Sequence, residues 1–534
     1  MQGGADGAKA IGKMEFDALL SHNVKNLLND IIIKGNRNDE FWKAVQLGLP
    51  YPAHKAPTSF NRFTHFLNGL GVKVNKQNNI YTFLPMTNKE VERISAGEIK
   101  SPLMLNQKNL SPEEGGLFDY NITGGPSGGK FSHISLHTPV LNPIFEDAVK
   151  DILNLTQKEF NEITTEKGFD GLRKILKNFD YGKREKEILK KVENKEELTS
   201  KDISTLKIIK AMKDKDIHPA THWFIEKLPV IPPVSRPIIQ GKDGKVFVSP
   251  FNYLYRDVII SNENLKNSED LPIKDKLIAQ QTLYDSIKGL IGLGEPVSLQ
   301  AKTKGAKGII TFLGGTNPKA GYYQSVLLYK PQVLSARGTA VPDTSIHMDN
   351  IRVPEGILWN IYQPFLIKRL LNKGYDAVNA KKLIEEKSPI AREALVLEAK
   401  ERPIIYNRAP SLHRFNLVSG YPIPSQGKTI QVSPFIEGGM NLDYDGDTLQ
   451  IHVPVTNLAV EDAKKMLPSK LIFGDRKKGD LMMIPGHEAL WGAYVASKEK
   501  DHGGKKVAKF KTIEEATEAW KRGEIELGTE VQIG

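Results

Sequence analysis

The chain has 534 residues, far more than one hydrophobic core organises, so roughly three to five domains or subdomains are expected. It contains no cysteine, which excludes disulfides, cysteine-ligated zinc, iron–sulfur clusters and thiol catalysis. The formal charge of +11 suits a polyanionic partner; no apolar run approaches the roughly 18 residues of a membrane helix and no signal-peptide pattern opens the chain, so a cytoplasmic protein without membrane contact is expected.

A glycine-rich opening gives way to a segment in which Phe16, Leu19, Leu20, Val24, Leu27 and Leu28 recur at helical spacing, predicting an amphipathic helix with one packed face. Residues 143–219 are helical in pattern and rich in lysine, with Glu and Lys interspersed as in solvated helices stitched by i to i+4 pairs. Between residues 223 and 239, Pro229, Pro232, Pro233 and Pro237 forbid a regular helix and fix an extended path. Residues 251–294 read as two helices around a short polar break. Lys302, Lys304 and Lys307 then stand among glycines, where small residues let a backbone approach phosphate. Helical pattern returns over residues 355–399.

The densest chemistry lies at residues 441–455. Asp443, Asp445 and Asp447 occupy alternate positions, Gly446 separates the last two, and Leu449, Ile451 and Val453 follow with the period of a strand. In an extended chain alternate residues lie roughly 6.5 Å apart, which would put the outer carboxylates about 13 Å from each other. A hard cation such as Mg²⁺ holds its oxygens at about 2.1 Å. Convergence therefore requires a loop, for which Gly446 supplies the backbone freedom. Converging carboxylates repel one another unless a cation neutralises them, and an all-oxygen set favours Mg²⁺, Mn²⁺ or Ca²⁺ over zinc. Alternate aspartates also open an EF-hand loop, but its sixth and twelfth positions, which require Gly and Glu, are Thr448 and Pro454 here, and a strand follows instead of a helix. A solvated acidic turn is the plain alternative.

The loop's surroundings carry a resemblance. The segment Asn407-Arg408-Ala409-Pro410, the run TIQVSPFIEGGM and the loop NLDYDGD together resemble the catalytic core of the beta-prime subunit of multisubunit DNA-directed RNA polymerases. The signature of that family is an Asn-x-Asp-Phe-Asp-Gly-Asp loop in a double-psi β-barrel; Asn441, the three aspartates and Gly446 are kept, and Tyr444 replaces the Phe. The Leu-Pro-Val-x-Pro-Pro run ending in Arg236-Pro237 is similar to the clamp base of beta-prime. Gly97-Glu98-Ile99 and Gly116-Leu117-Phe118 resemble its opening, and Ser335-Ala336-Arg337 the end of its template-holding switch segment. Residues 486–492 resemble its post-barrel element. Gly12-Lys13-Met14-Glu15 and the Pro-x-Ser-Phe at residues 57–60 look instead like the closing segment of the other large subunit, beta. The zinc module usual near the start of beta-prime is missing.

This resemblance implies an α+β, multidomain chain with a double-psi β-barrel catalytic core and a helical clamp region. Its divisions would be a beta C-terminal-like helical segment at 1–85, a clamp-like region lacking the zinc module at 86–300, a switch region and barrel with the Asp triad at 301–465, and a post-barrel segment at 466–534. It implies that Asp443, Asp445 and Asp447 are the catalytic metal ligands, with two Mg²⁺ ions in the working site and no zinc. Asn441 and Arg408 would read the ribose hydroxyls of an incoming nucleoside triphosphate; Arg337, Lys302, Lys304 and Lys307 would contact nucleic acid. The implied partners are template DNA, product RNA and other polymerase subunits supplying the beta barrel, bridge helix and trigger loop. A promoter-specificity factor would dock on the 251–294 hairpin, unless that hairpin is purely structural. The absent zinc ligands and compact clamp look like a bacteriophage enzyme working in host cytoplasm. Three other functions are compatible with the residues alone: a non-catalytic clamp or scaffold subunit, a stand-alone metal-dependent nuclease, and a plain basic nucleic-acid-binding protein. Arg408 has a plain reading too, as a structural bond to the aspartate loop, and His413 and His452 are read as structural.

Overall fold

The computed structural model describes residues 9–34, 39–51, 58–77, 80–106, 111–194, 196–240, 246–317, 320–474, 480–498, 507–526 and 528–534. The glycine-rich opening and Pro57 lie outside the described residues. Two compact units emerge, one combining residues 1–55 with 328–534 and the other formed by residues 56–327. This division cuts through the expected 1–85 segment at residue 55, and its second boundary falls at 327/328 rather than at 300.

The first unit is built on a closed barrel of six strands: β1 Ser335–Pro342, β2 Asn350–Pro354, β3 Ile404–Arg408, β4 Leu417–Ser425, β5 Ile430–Val432 and β6 Thr448–His452, in the order β1-β5-β2-β4-β3-β6. The pairs β1–β5 and β2–β4 are parallel; β2–β5, β3–β4, β3–β6 and the closing pair β1–β6 are antiparallel. Closure leaves no strand edge open. The period-two pattern at the end of the aspartate loop holds for its apolar positions, Leu449, Ile451 and Val453, which are fully buried; of the residues between them Gln450 is only partly buried, but His452 is buried as well. The helices Glu355–Asn372 and Pro389–Glu401 belong to the same core, where Leu358, Tyr362 and Leu366 are buried and the Tyr362 hydroxyl donates to the Arg402 carbonyl at 2.6 Å.

The expected N-terminal helix is two helices, Lys13–Ser21 and Lys25–Lys34, because Asn23 takes a left-handed conformation with φ of 57°. Phe16, Leu19, Val24 and Leu27 pack in a cluster with Ile405 and Leu417, but Leu20, expected on the same face, is 61% exposed. The second helix is fastened by Asp30, whose carboxylate accepts hydrogen bonds from Val455 N and Thr456 N, both at 3.0 Å.

The second unit holds a three-stranded sheet, Ser95–Glu98, Phe131–Leu141 and Phe224–Val230, and the helices of residues 146–215. The proline-rich stretch runs extended, as its composition predicts: a strand carries Pro229, and a single 3-10 turn, Pro233–Ser235, follows. That turn delivers Arg236 into the core, fully buried, where its guanidinium donates to the carbonyls of Ile231 and Leu117, both at 2.8 Å, and to Asn252 Oδ1 at 2.9 Å. In the lysine-rich helices Tyr181–Glu193 and Ser200–Lys215, ion pairs such as Lys191–Asp202 at 3.1 Å and Lys213–Glu185 bridge the two helices. Residues 251–294 form the expected hairpin, Phe251–Asn267 and Ile273–Ile291. Among the described residues no helix is long and apolar enough to cross a membrane.

Candidate metal centre

The chain approaches the aspartate loop through one helical turn, Glu437–Met440, which ends at Asn441 in the left-handed region with φ of 48°, a conformation asparagine tolerates well. A Cβ on Gly438 would stand 2.8 Å from Ile484 Cγ1, and one on Gly439 2.9 Å from Met483 Cε, so the paired glycines admit the 482–484 segment against this turn. Gly438 N donates to Ile484 O at 3.1 Å, and Asn416 Nδ2, from a fully buried side chain, donates to Met440 O at 2.9 Å. Leu442 and Leu449 are fully buried and pin the two ends of the loop. Between them the backbone turns at Gly446, whose φ of 130° is open to glycine and strained for L residues, and Asp447 O then accepts a hydrogen bond from Ala340 N of β1 at 2.8 Å.

The turn brings the three carboxylates together: one oxygen from each of Asp443, Asp445 and Asp447 lies within 4.8 Å of the other two. Oxygens sharing an octahedral Mg²⁺ are about 3 to 4.2 Å apart, given ligand distances of about 2.1 Å, so small side-chain rotations bring this set onto one ion. The donors are hard oxygens throughout. Asp443 Oδ1 is shielded from solvent and has no hydrogen-bond donor among the described residues. The set fits a hard divalent cation.

Arg408, the last residue of β3, lies beside β6, opposite Leu449 in the register. Its Nε donates to Asp447 Oδ2 and its Nη2 to Oδ1 at 3.3 Å, and Asp443 N adds a hydrogen bond to Oδ2 at 3.2 Å. Burial by itself would raise the Asp447 carboxyl, but the Arg408 guanidinium and the Asp443 amide outweigh it and hold the group below the usual carboxylate range. Asp443 moves the opposite way: the neighbouring Asp447 carboxylate pushes it up first, and partial burial and the charge of Asp445 add to this.

The strand that carries Arg408 is braced from a distance. Asn407, almost fully buried, donates to Ser411 Oγ at 3.2 Å; Ser411 donates to Glu15 Oε1 at 3.0 Å; Glu15 Oε2 accepts Gly12 N at 2.9 Å. His22 Nε2 reaches the carbonyls of Arg414 and Leu417 at 2.8 and 2.9 Å. Sequence reasoning missed Glu15, Ser411 and Asn416 as supports of the site. Glu15 at the third position of its helix is a capping signal, but its second partner lies 396 residues away.

Of the other expected site residues, Asn441 is exposed at the entrance to the loop, and Arg337, on β1, donates from Nε to Thr448 Oγ1 at 2.8 Å, directly after Asp447. Lys302, Lys304 and Lys307 are exposed but belong to the 56–327 unit, outside the barrel unit. His452 is buried on β6 and is no member of the carboxylate cluster.

Residues 374–468, which include β3 to β6, Arg408 and the aspartate loop, match the family model of RNA polymerase Rpb1, domain 2. The chain is 29% identical over 384 residues to the DNA-directed RNA polymerase subunit beta' of Pelotomaculum thermopropionicum, covering 70% of this chain and 32% of that one. It is 26% identical over 393 residues to the same subunit of Burkholderia mallei and of Burkholderia thailandensis, covering 72% of this chain and 28% of theirs. By these matches the chain is similar to the multisubunit DNA-directed RNA polymerases. It spans about a third of the length of the beta-prime subunits it matches. Within this polymerase relative, the family match centres on the barrel and its aspartate loop.

Proposed function

We propose that this chain contributes the catalytic metal loop of a DNA-dependent RNA polymerase that adds nucleotides from nucleoside triphosphates to an RNA 3′ end. The observation that carries the reading is the convergence of three carboxylate oxygens within 4.8 Å inside the segment related to beta-prime. Asp443, Asp445 and Asp447 would hold Mg²⁺, which when bound supplies Lewis-acid stabilisation of the attacking and leaving oxygens of a phosphoryl transfer. Asn441, exposed at the loop entrance, offers an amide that both donates and accepts, and Arg408 offers a guanidinium that donates; together they would read ribose hydroxyls and so tell ribonucleotide from deoxyribonucleotide. Arg337 beside the loop, with Lys302, Lys304 and Lys307, would contact nucleic-acid phosphates.

The two parallel pairs laced into the barrel by antiparallel ones support a double-psi topology. The packing of residues 11–31 against Ile405 and Leu417 supports reading this N-terminal segment as the closing part of beta joined to beta-prime. The helical region of residues 86–300 is assigned to the clamp, and the remaining polymerase parts, the beta barrel, bridge helix and trigger loop, to other subunits.

The test is template-dependent RNA synthesis by the complex purified through this chain, wild type against Asp445→Ala. Loss of synthesis in an assembled mutant complex is expected. Equal synthesis in both would refute the catalytic assignment. Metal-dependent DNA cleavage without RNA synthesis would support the nuclease reading instead.

A further inference from the structure

The proposed function asks Arg408 to read a ribose, yet in this structure its guanidinium lies on Asp447, with Nε toward Oδ2 and Nη2 3.3 Å from Oδ1. The same carboxylate is needed as a metal ligand. A guanidinium and a dication repel each other, so both cannot hold Asp447 closely without mutual cost. Backbone movement does not resolve the conflict, because Arg408 ends a barrel strand and its neighbour Asn407 is almost fully buried and braced through Ser411 to Glu15. The side chain can move: that of Arg408 is 22% exposed and that of Asp447 19%. Among the described residues no other lysine or arginine forms an ion pair with the three aspartates, so Arg408 is their counter-ion when no cation is bound.

We propose that Arg408 acts in turn as counter-ion and as reader. It neutralises Asp447 in the metal-free chain; a divalent cation displaces it from that carboxylate; and the freed fork becomes available to the ribose of the incoming nucleotide. Ribose recognition is thereby coupled to metal occupancy, which orders the site so that the metal precedes nucleotide selection. The inference rests on the metal assignment proposed above and makes Arg408 a positioning residue toward the cation before it touches substrate.

The experiment is a calorimetric titration of the full-length chain with Mn²⁺, comparing wild type, Arg408→Gln, Arg408→Lys and Asp445→Ala. Removing a competing, partly exposed positive charge is expected to tighten Mn²⁺ binding roughly tenfold in Arg408→Gln, equivalent to about 1.4 kcal/mol, while Arg408→Lys stays near wild type. A purely structural arginine would give the opposite sign, since its loss would loosen the loop and weaken binding. Unchanged or weaker binding in Arg408→Gln, with binding abolished in Asp445→Ala, overturns the counter-ion role and leaves the metal assignment standing. Binding that persists unaltered in Asp445→Ala overturns both.

Discussion

Asp30 offers the sharpest quantitative test of how the N-terminal helices hold the barrel. Its carboxylate is 1% exposed and accepts from the adjacent amides of Val455 and Thr456, in the segment after β6. A hydrogen bond to a charged acceptor contributes about 1.5–3 kcal/mol, and its removal leaves a buried amide unsatisfied. Two such bonds, less the desolvation cost recovered when the buried charge is deleted, put Asp30→Ala at about 3–5 kcal/mol of destabilisation. Asp30→Asn keeps the shape but turns one of the two acceptors into a donor facing an N–H, so it should lose at least half of that. Because a chain of two units need not unfold in a single step, the readout is native-state hydrogen exchange at residues 455 and 456, where protection should fall by about two to four orders of magnitude in Asp30→Ala. Protection unchanged at both amides would refute the reasoning. So would an Asp30→Asn variant as stable as wild type.

Two further outcomes concern the 56–327 unit. Arg236→Met leaves the Ile231 and Leu117 carbonyls and Asn252 Oδ1 without their donor, so it should cost about 3 kcal/mol, and Arg236→Lys should not restore it, because an ammonium cannot reproduce the three-pronged geometry; near-wild-type calorimetric melting of the lysine variant would contradict this. Burial draws the Arg236 pKa down to about 10 but leaves the guanidinium charged at neutral pH, so the destabilisation should not change across neutral pH. Burial would raise the Glu146 carboxyl, but Lys288 at 2.7 Å, Gln157 at 3.0 Å and Tyr284 at 2.8 Å outweigh it and hold the folded pKa below its ordinary value. Asp202 is held down likewise, by Thr199 and Lys191 against its burial. A depressed folded pKa means stability that is fully present above the unfolded carboxylate value, about 4.3 for Glu, and lost as pH falls through the folded value. Acid unfolding of this unit should therefore be less steep in Glu146→Gln than in wild type, and equal steepness would show that the carboxylate carries none of it.

What could be read from the sequence was local. Alternation of Leu449, Ile451 and Val453 marked a strand because side-chain period is set within a few residues, and three aspartates around Gly446 marked a turn because a single ion cannot span an extended segment. The prolines of residues 229–237 removed the helix option by covalent geometry alone. The long helices of residues 146–215 and the 251–294 hairpin were equally legible, their periodicity being a property of the segment itself. Leu20 shows the limit of that logic. It lies in the first helix with the buried Phe16 and Leu19 and is exposed all the same, and the left-handed Asn23 ends that helix soon after.

Everything that decides how the candidate site works arises between residues far apart in the chain. Arg408 meets Asp447 across 39 residues, Asn416 holds Met440 across 24, Ser411 meets Glu15 across 396 and Asp30 meets Val455 across 425. The bond of Arg408 to the loop was one of two readings its sequence left open, but the other pairings have no periodic or compositional trace, because a hydrogen bond depends on where the fold places two groups and not on what stands beside them in sequence. The amino-acid sequence alone determined that three carboxylates would share a loop ahead of a buried strand, since spacing and glycine act over a few bonds. Only the closed barrel determined that a guanidinium would lie on one of them, since closing β3 against β6 is what carries Arg408 to Asp447.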